Sequence, residues 1–336
     1  MQPTNFSKSL TNFLTQYLAH ERGASSNTIA SYRDTFVLLI NYMESIGIKL
    51  SKLTIEKINK DNVVNFLEWI QTNRKSSDTT RNARLAAIHS FYKYLQYHHP
   101  ENLHNYQQIL SIPVKKAKQS TMSYLSLEGI TLLLKQPDTS TSKGRRDLAL
   151  LSLMYDTGSR VQEIIDLTPS CIRLDSPHTI RVTGKGRKTR IIPMLEAQVS
   201  LLLNYMHEHK LTEPATNMHP LFFNCRGEKL TRAGINYILL KYATIAKKQT
   251  PNLIPEGISC HSLRHSKAMH LLQADVNLVY IRDILGHVSV TTTEVYARID
   301  SRKKREAIES AYSDVAPKEI PSWLKSGNLL EWLKSF

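Results

Sequence analysis

Only three cysteines occur in 336 residues, Cys171, Cys225 and Cys260. They are scattered, odd in number and form no CxxC pair, which excludes a disulfide framework and a cysteine zinc site and fits a reducing compartment. Long apolar runs are missing too. The longest, near Leu148–Tyr155, is far too short to cross a bilayer, and the polar start Met-Gln-Pro-Thr-Asn lacks a signal-peptide core. A soluble, cytoplasmic protein is expected. Acidic residues are the third shortage: 44 Lys and Arg face 29 Asp and Glu, a formal net charge of +15. That sign calls for a polyanionic partner, nucleic acid first among them. The excess is shared, with 15 basic and 8 acidic residues in 1–120 against 29 and 21 in 121–336. Both parts can therefore touch a phosphate backbone, as a clamp around a duplex needs.

What is present reads as a mainly α chain with one small β-hairpin, long enough for two domains. Residues 1–110 form a helical domain. Ser25-Ser26-Asn27 offers an N-cap before Ile29, Tyr32, Phe36, Leu39, Ile40 and Met43, which recur at helical period. Val63, Phe66, Leu67 and Ile70 make a second stripe. Asp78 or Thr79 caps another helix whose Leu85, Ile88, Tyr92 and Leu95 face inward. Arg81 and Arg84 are expected on its other face, with Arg74 and Lys75 just before it, as a DNA-facing surface; a plain solvated helix face is the bland alternative. Residues 111–123 have no amphipathic period and read as a basic linker carrying Lys115, Lys116 and Lys118.

The domain expected over 124–312 holds the chemistry. A helix over Asp147–Asp156 stops at Gly158, and another follows with Val161, Ile164 and Ile165. Ile180 and Val182, then a break at Gly184-Lys185-Gly186, then Ile191 and Ile192, give strand–turn–strand with Arg187 at the tip. HSLRH lies on a helix, Gly286 ends the next one, and Thr291-x-x-Glu294 has the form of a capping box that opens a short helix bearing Tyr296. Residues 313–336 form a tail with Trp323, Leu324, Leu330 and Leu333 on an apolar side, which docks either on its own domain or on a neighbouring subunit.

Arg160, Lys185, His261, Arg264, His287 and Tyr296 are together equipped to break a phosphodiester. His261 and Arg264, three apart, share a helix face. Two guanidiniums can fork onto one phosphate and hold its developing charge. A lysine on a hairpin tip can protonate a leaving oxygen. A tyrosine of ordinary pKa near 10 needs those cations to attack at neutral pH, and the resulting ester keeps the bond energy, so neither metal nor ATP is required. Singly each residue has a bland reading: a surface arginine, a core tyrosine, a histidine ending a helix. Lys185 lies in no GxxxxGK[ST] loop, which removes an NTPase. His261 and His265 are four apart like a zinc pair, but the glutamate of HExxH is missing and Arg264 would repel a cation. The ordered set of six is what argues for function.

In this set the chain resembles the tyrosine recombinase (phage integrase) family, with an Xer-like two-domain plan. SSNTIASYRDTFVLLINYM and TTRNARLAAIHSFYKYL are similar to helices of the family's core-binding (SAM-like) domain, so the likeness runs over roughly residues 5–312. No arm-site domain is expected before it. The resemblance implies that Tyr296 forms a 3′-phosphotyrosine, and that Arg160, Arg264 and His287 stabilise the transition state. Lys185 would protonate the 5′ oxygen and His261 would assist proton transfer with the tyrosine. Glu163 would brace the active-site arginine and histidine. It also implies a duplex site with inverted half-sites, a tetramer on DNA, and no cofactor. Service to a mobile element is the expected role, with Xer-type dimer resolution, a type IB topoisomerase, a non-catalytic DNA-binding regulator and a metallohydrolase as rivals.

Overall fold

The computed structural model describes residues 3–117, 122–184, 186, 188–287, 289–299 and 329–334. Lys118, Lys185, Arg187, Trp323 and Leu324 lie outside the described residues. The chain divides into two compact units, Met1–Ser120 and Thr121–Phe336.

In the first unit, the starts of the three longest helices carry a short polar side chain for an amide that has no partner within the helix. Ser25 accepts from Thr28 N before α2 (Ser26–Ser45), Asn59 from Asn62 N before α3 (Lys60–Arg74), and Ser77 from Thr80 N before α4 (Asp78–His98). The α4 cap is thus Ser77 rather than Asp78 or Thr79. Ahead of them, α1 (Asn5–Asn12) runs into a π-helical stretch, Phe13–Glu21, and α5 (Leu103–Leu110) closes the unit. Phe13 and Phe36 meet Phe91 of α4 edge-on, with centroids 5.2 and 5.1 Å apart. Each such ring contributes roughly 1.5–3 kcal/mol by leaving water.

Arg81 corrects the expected outer face of α4. It sits one turn before Leu85 on the same stripe, is 5% exposed, and donates from Nη1 to the Pro113 carbonyl at 3.0 Å. Arg84 donates to the Ser31 carbonyl and the Thr35 hydroxyl. The start of the expected linker is correspondingly tied down: Ile112 is buried, and Asn82 exchanges two hydrogen bonds with the Lys115 backbone.

In the second unit α7 (Ser142–Thr157) is the central helix, buried from Ala149 to Met154. It packs between α9 (Glu196–Glu208) and α11 (Cys260–Gln273). Around these lie α6 (Leu127–Leu134), α8 (Val161–Ile165), α10 (Arg232–Gln249), α12 (Leu278–Leu285) and α13 (Thr291–Ile299). The hairpin pairs β2 (Thr179–Thr183) with β3 (Thr189–Pro193) antiparallel, Ile180 opposite Ile192. A short β1 (Ile172–Arg173), unsignalled in the sequence, adds a third strand at the β2 edge. Thr291 is the first residue of α13, not its cap; its amide donates to Ser289 Oγ instead. A last described helix, α14, spans Leu329–Lys334, with Leu330 and Leu333 exposed.

Candidate active site

Three chain reversals converge in the second unit. Gly158 ends α7 in the left-handed region at φ 56°, and a Cβ there would lie 2.6 Å from Leu285. Close approach of the two helix ends therefore requires glycine. Gly286 ends α12 in the same way at φ 66°. The hairpin comes in from the third side, with Gly184 against Glu163.

Arg264, at 4% exposure, stitches the first two reversals together. It donates from Nη1 to the Gly158 carbonyl at 2.8 Å and from Nη2 to the Leu285 carbonyl at 2.7 Å. Burial, with Arg160 nearby, lowers its pKa to about 10, so it stays charged at neutral pH. Arg160 caps α8 and reaches further out. Its backbone N–H and Nη1 both donate to Glu163, at 2.8 and 2.9 Å, and Nη2 points at the Gly286 carbonyl, 3.5 Å away. Burial pushes the Glu163 carboxyl up, but hydrogen bonds from Arg190 and Arg160 outweigh it and hold the pKa below the usual range. The expected bracing of a histidine by Glu163 is corrected here: its second partner is Arg190, at 2.7 and 3.1 Å.

Arg160, Arg190, Gly184, Lys188, Arg282, Gly286 and His287 line a cleft of about 530 Å³ with Asp283 as its acidic member. Its basic lining suits a phosphate held by fixed cations. His287 donates or accepts at Nδ1 with the Thr293 hydroxyl, 2.9 Å away. Burial first, then Arg264, Arg160 and Arg190, lower its pKa to about 4, so it is neutral at pH 7. Lys185 and Arg187, the sequence neighbours of Gly186, lie outside the described residues.

Tyr296 is behind the cleft, not on its lining. It is 2% exposed, packed with Ala268, Met269, Leu272, Ile281 and Leu285, and its ring stacks on His287 at a centroid distance of 6.3 Å. Burial raises its pKa, with Arg264 and Arg160 opposing. The hydroxyl meets His265 Nδ1 at 3.0 Å. His265, not His261, is therefore the HSLRH histidine on the tyrosine; His261 is exposed one turn earlier, its pKa lowered by partial desolvation and then by Arg264 and Arg160. Burial, then His261 and Arg264, take His265 to about 4.

His265 and Arg190 are the residues that reasoning from sequence passed over. His265 was visible only as half of a zinc-like pair. Arg190 had a usable signal: on β3 it occupies the inward side, alternating with exposed Thr189 and Ile191, where a charge needs a partner. Among the described residues no group of three or more His, Cys, Asp or Glu could hold a metal, and no helix is long and apolar enough to cross a membrane. In the first unit, Arg74, Lys75, Lys115 and Lys116 are exposed, with Lys115 Nζ donating to Gln71.

The chain is similar to known proteins along most of its length. The model of the phage integrase family matches residues 123–303, and that of the phage integrase N-terminal SAM-like domain matches residues 11–98. A Sinorhizobium fredii protein described as a putative integrase/recombinase is 36% identical over 97% of both chains. The tyrosine recombinase XerD of Listeria innocua is 31% identical over 86% of this chain and 94% of its own. The fold is also that of the XerH site-specific recombinase solved on a palindromic difH substrate. The TM-score is 0.67 at 24% identity, covering 88% of this chain and 83% of that one. The chain belongs to the phage integrase family of tyrosine recombinases.

Proposed function

We propose that this tyrosine recombinase uses Tyr296 as its nucleophile and binds the scissile phosphate in the cleft lined by Arg160 and His287, with Arg264 beside it. The observation that carries the reading is the convergence of the Gly158 and Gly286 reversals through Arg264, which sets a fixed cation beside the cleft and the tyrosine behind it. The Tyr296 oxygen bonds to phosphorus while the bond to the 5′ oxygen breaks, leaving a 3′-phosphotyrosine and a free 5′-hydroxyl. Lys185 supplies the proton that the 5′ oxygen gains. Arg160 and Arg264 hold the charge on the non-bridging oxygens, in a site where such stabilisation is worth several kcal/mol. With a pKa near 4, His265 is too weak a base to strip a phenol unaided. Its Nδ1 orients the hydroxyl and receives its proton as the bond to phosphorus forms, once the phosphate-bound cations have lowered the tyrosine's pKa. Because Tyr296 is buried here, α13 must advance toward the cleft when DNA binds.

The DNA contacts we assign are Arg74, Lys75, Arg84, Lys115, Lys116 and Lys118 from the first unit, and Arg187 from the second. Two duplex sites with inverted half-sites, held by four copies, make up the working complex in the cytoplasm, with the 313–336 tail docking between copies. Mobilising a genetic element is the preferred role, in line with the S. fredii protein described as a putative integrase/recombinase that matches 97% of this chain.

Recombination between two cloned copies of the DNA flanking the gene, run in EDTA without ATP, tests the reading. Exchange at one defined position in each copy is expected. Relaxation of any supercoiled plasmid without exchange would assign the chain to the topoisomerase alternative, and loss of activity in EDTA would point to metal-dependent hydrolysis.

A further inference from the structure

From the hairpin, Arg190 bonds to both of the other converging segments. Its side chain is 11% exposed. Nη1 and Nη2 fork onto both oxygens of Glu163 at 3.1 and 2.7 Å, Nε donates to the Ile284 carbonyl at 2.8 Å, and Nη2 lies 3.4 Å from Ser159 Oγ. Glu163 in turn receives the Arg160 backbone and side chain. The three segments are thus joined by one guanidinium: β3 carries it, α8 presents Glu163, and the end of α12 presents Ile284. Two glycines record how closely the chain wraps this pair. A Cβ on Gly286 would come within 2.9 Å of Arg190 Nη1, and one on Gly184 within 2.8 Å of Glu163 Oε1.

We propose that Arg190 is a positioning residue for strand cleavage: through Glu163 and the Ile284 carbonyl it fixes Arg160 and the Gly286–His287 turn at one spacing around the phosphate. Although Arg190 borders the cleft, its Nε, Nη1 and Nη2 tie it to acceptors on two other segments, Glu163 and Ile284, and through them it aims the groups that bind phosphate. A lysine cannot replace it, because one ammonium cannot fork onto a carboxylate and reach a carbonyl on a different segment at once. The inference rests on the assignment of Arg160 and His287 to the phosphate.

The experiment compares wild type with Arg190→Lys and Arg190→Ala in single-turnover cleavage of a nicked suicide duplex, together with half-site gel shifts and thermal melting. A displacement of about 1 Å in such groups costs on the order of 100-fold, so we expect a loss of that size for Ala and a loss of ~10-fold or more for Lys. Half-site affinity should stay within a few-fold of wild type. Arg190→Lys retains a charge for Glu163, so it answers the question if the Ala variant does not fold. A second substrate separates aiming from simple loosening of the fold: a duplex whose scissile phosphate is replaced by a neutral methylphosphonate. With no anionic oxygen to hold, the placement of Arg160 matters less, and the deficit of the Lys variant should shrink several-fold. Cleavage by Arg190→Lys at the wild-type rate, or the same deficit on charged and neutral substrates, would overturn the proposal. If wild type itself forms no covalent complex, the failure belongs to the recombinase site assignment instead.

Discussion

His265 Nδ1 and the Tyr296 hydroxyl stand 3.0 Å apart inside a pocket that leaves the tyrosine 2% exposed. The polar end of an otherwise apolar-packed ring is thus matched to one imidazole nitrogen, which fixes its direction before DNA arrives. His265→Asn keeps an acceptor near the position of Nδ1, whereas His265→Leu removes it. Covalent trapping should fall by on the order of 100-fold in the Leu variant and by clearly less in the Asn variant. Equal rates for Leu and wild type would take His265 out of the reaction.

Arg160 and Arg264 should differ in what their loss does. Removing either cation is expected to cost ~2.7–4 kcal/mol of transition-state stabilisation. Arg264 also satisfies the Gly158 and Leu285 carbonyls, so Arg264→Ala leaves two acceptors without it in the interior. We expect Arg264→Ala to lower the melting temperature clearly and Arg160→Ala, a third exposed, to lower it little. Melting curves beside single-turnover rates check both.

Acid should destabilise the catalytic unit in a defined window. His265 and His287 titrate near 4 in the folded protein and near their ordinary 6.5 when unfolded. Between those values the unfolded chain binds more protons, so stability falls as pH drops from about 6.5 toward 4. Glu163, with its lowered pKa, contributes stability above the ordinary carboxylate value and loses it as pH falls further through the folded value. The double variant His265→Asn/His287→Asn should flatten the melting temperature between pH 6.5 and 4. An unchanged slope there would assign the acid loss to other groups.

The helical periods, the glycine stops and the hairpin were legible because each is written locally: Ser25 as a cap, Gly158 and Gly286 as left-handed stops, Ile180 and Val182 alternating into the core. For Arg81, charge points to the wrong side of the helix. Its spacing to Leu85 and Ile88 places it on the buried stripe, and only the distant Pro113 carbonyl explains how a guanidinium is accommodated there. The same limit applies to the site. Arg160, Arg264, His287 and Tyr296 could be picked out by residue type and order. That His265 rather than His261 would meet the tyrosine depends on how α11 and α13 pack, a long-range contact with no local signature.

Burial of Arg81 changes what charge removal in the first unit should do. Lys75→Ala and Lys116→Ala, both exposed, should weaken DNA binding and flatten the slope of log affinity against log salt by about 0.9 for each phosphate left without its cation. Arg81→Met should instead lower the melting temperature of the full chain and leave that slope unchanged. A flattened slope in Arg81→Met with unaltered melting would return Arg81 to the DNA surface.

The assignment of Tyr296 is tested most directly by finding the atom that holds the DNA. Wild-type protein is trapped on a nicked suicide duplex, digested with protease and nuclease, and the nucleotide-bearing peptide is sequenced by mass spectrometry. The expected result is a single modified peptide with a 3′-linked nucleotide on Tyr296, absent from Tyr296→Phe although that variant still shifts the same duplex. A nucleotide on any other residue, or a trapped complex formed by Tyr296→Phe, would contradict it.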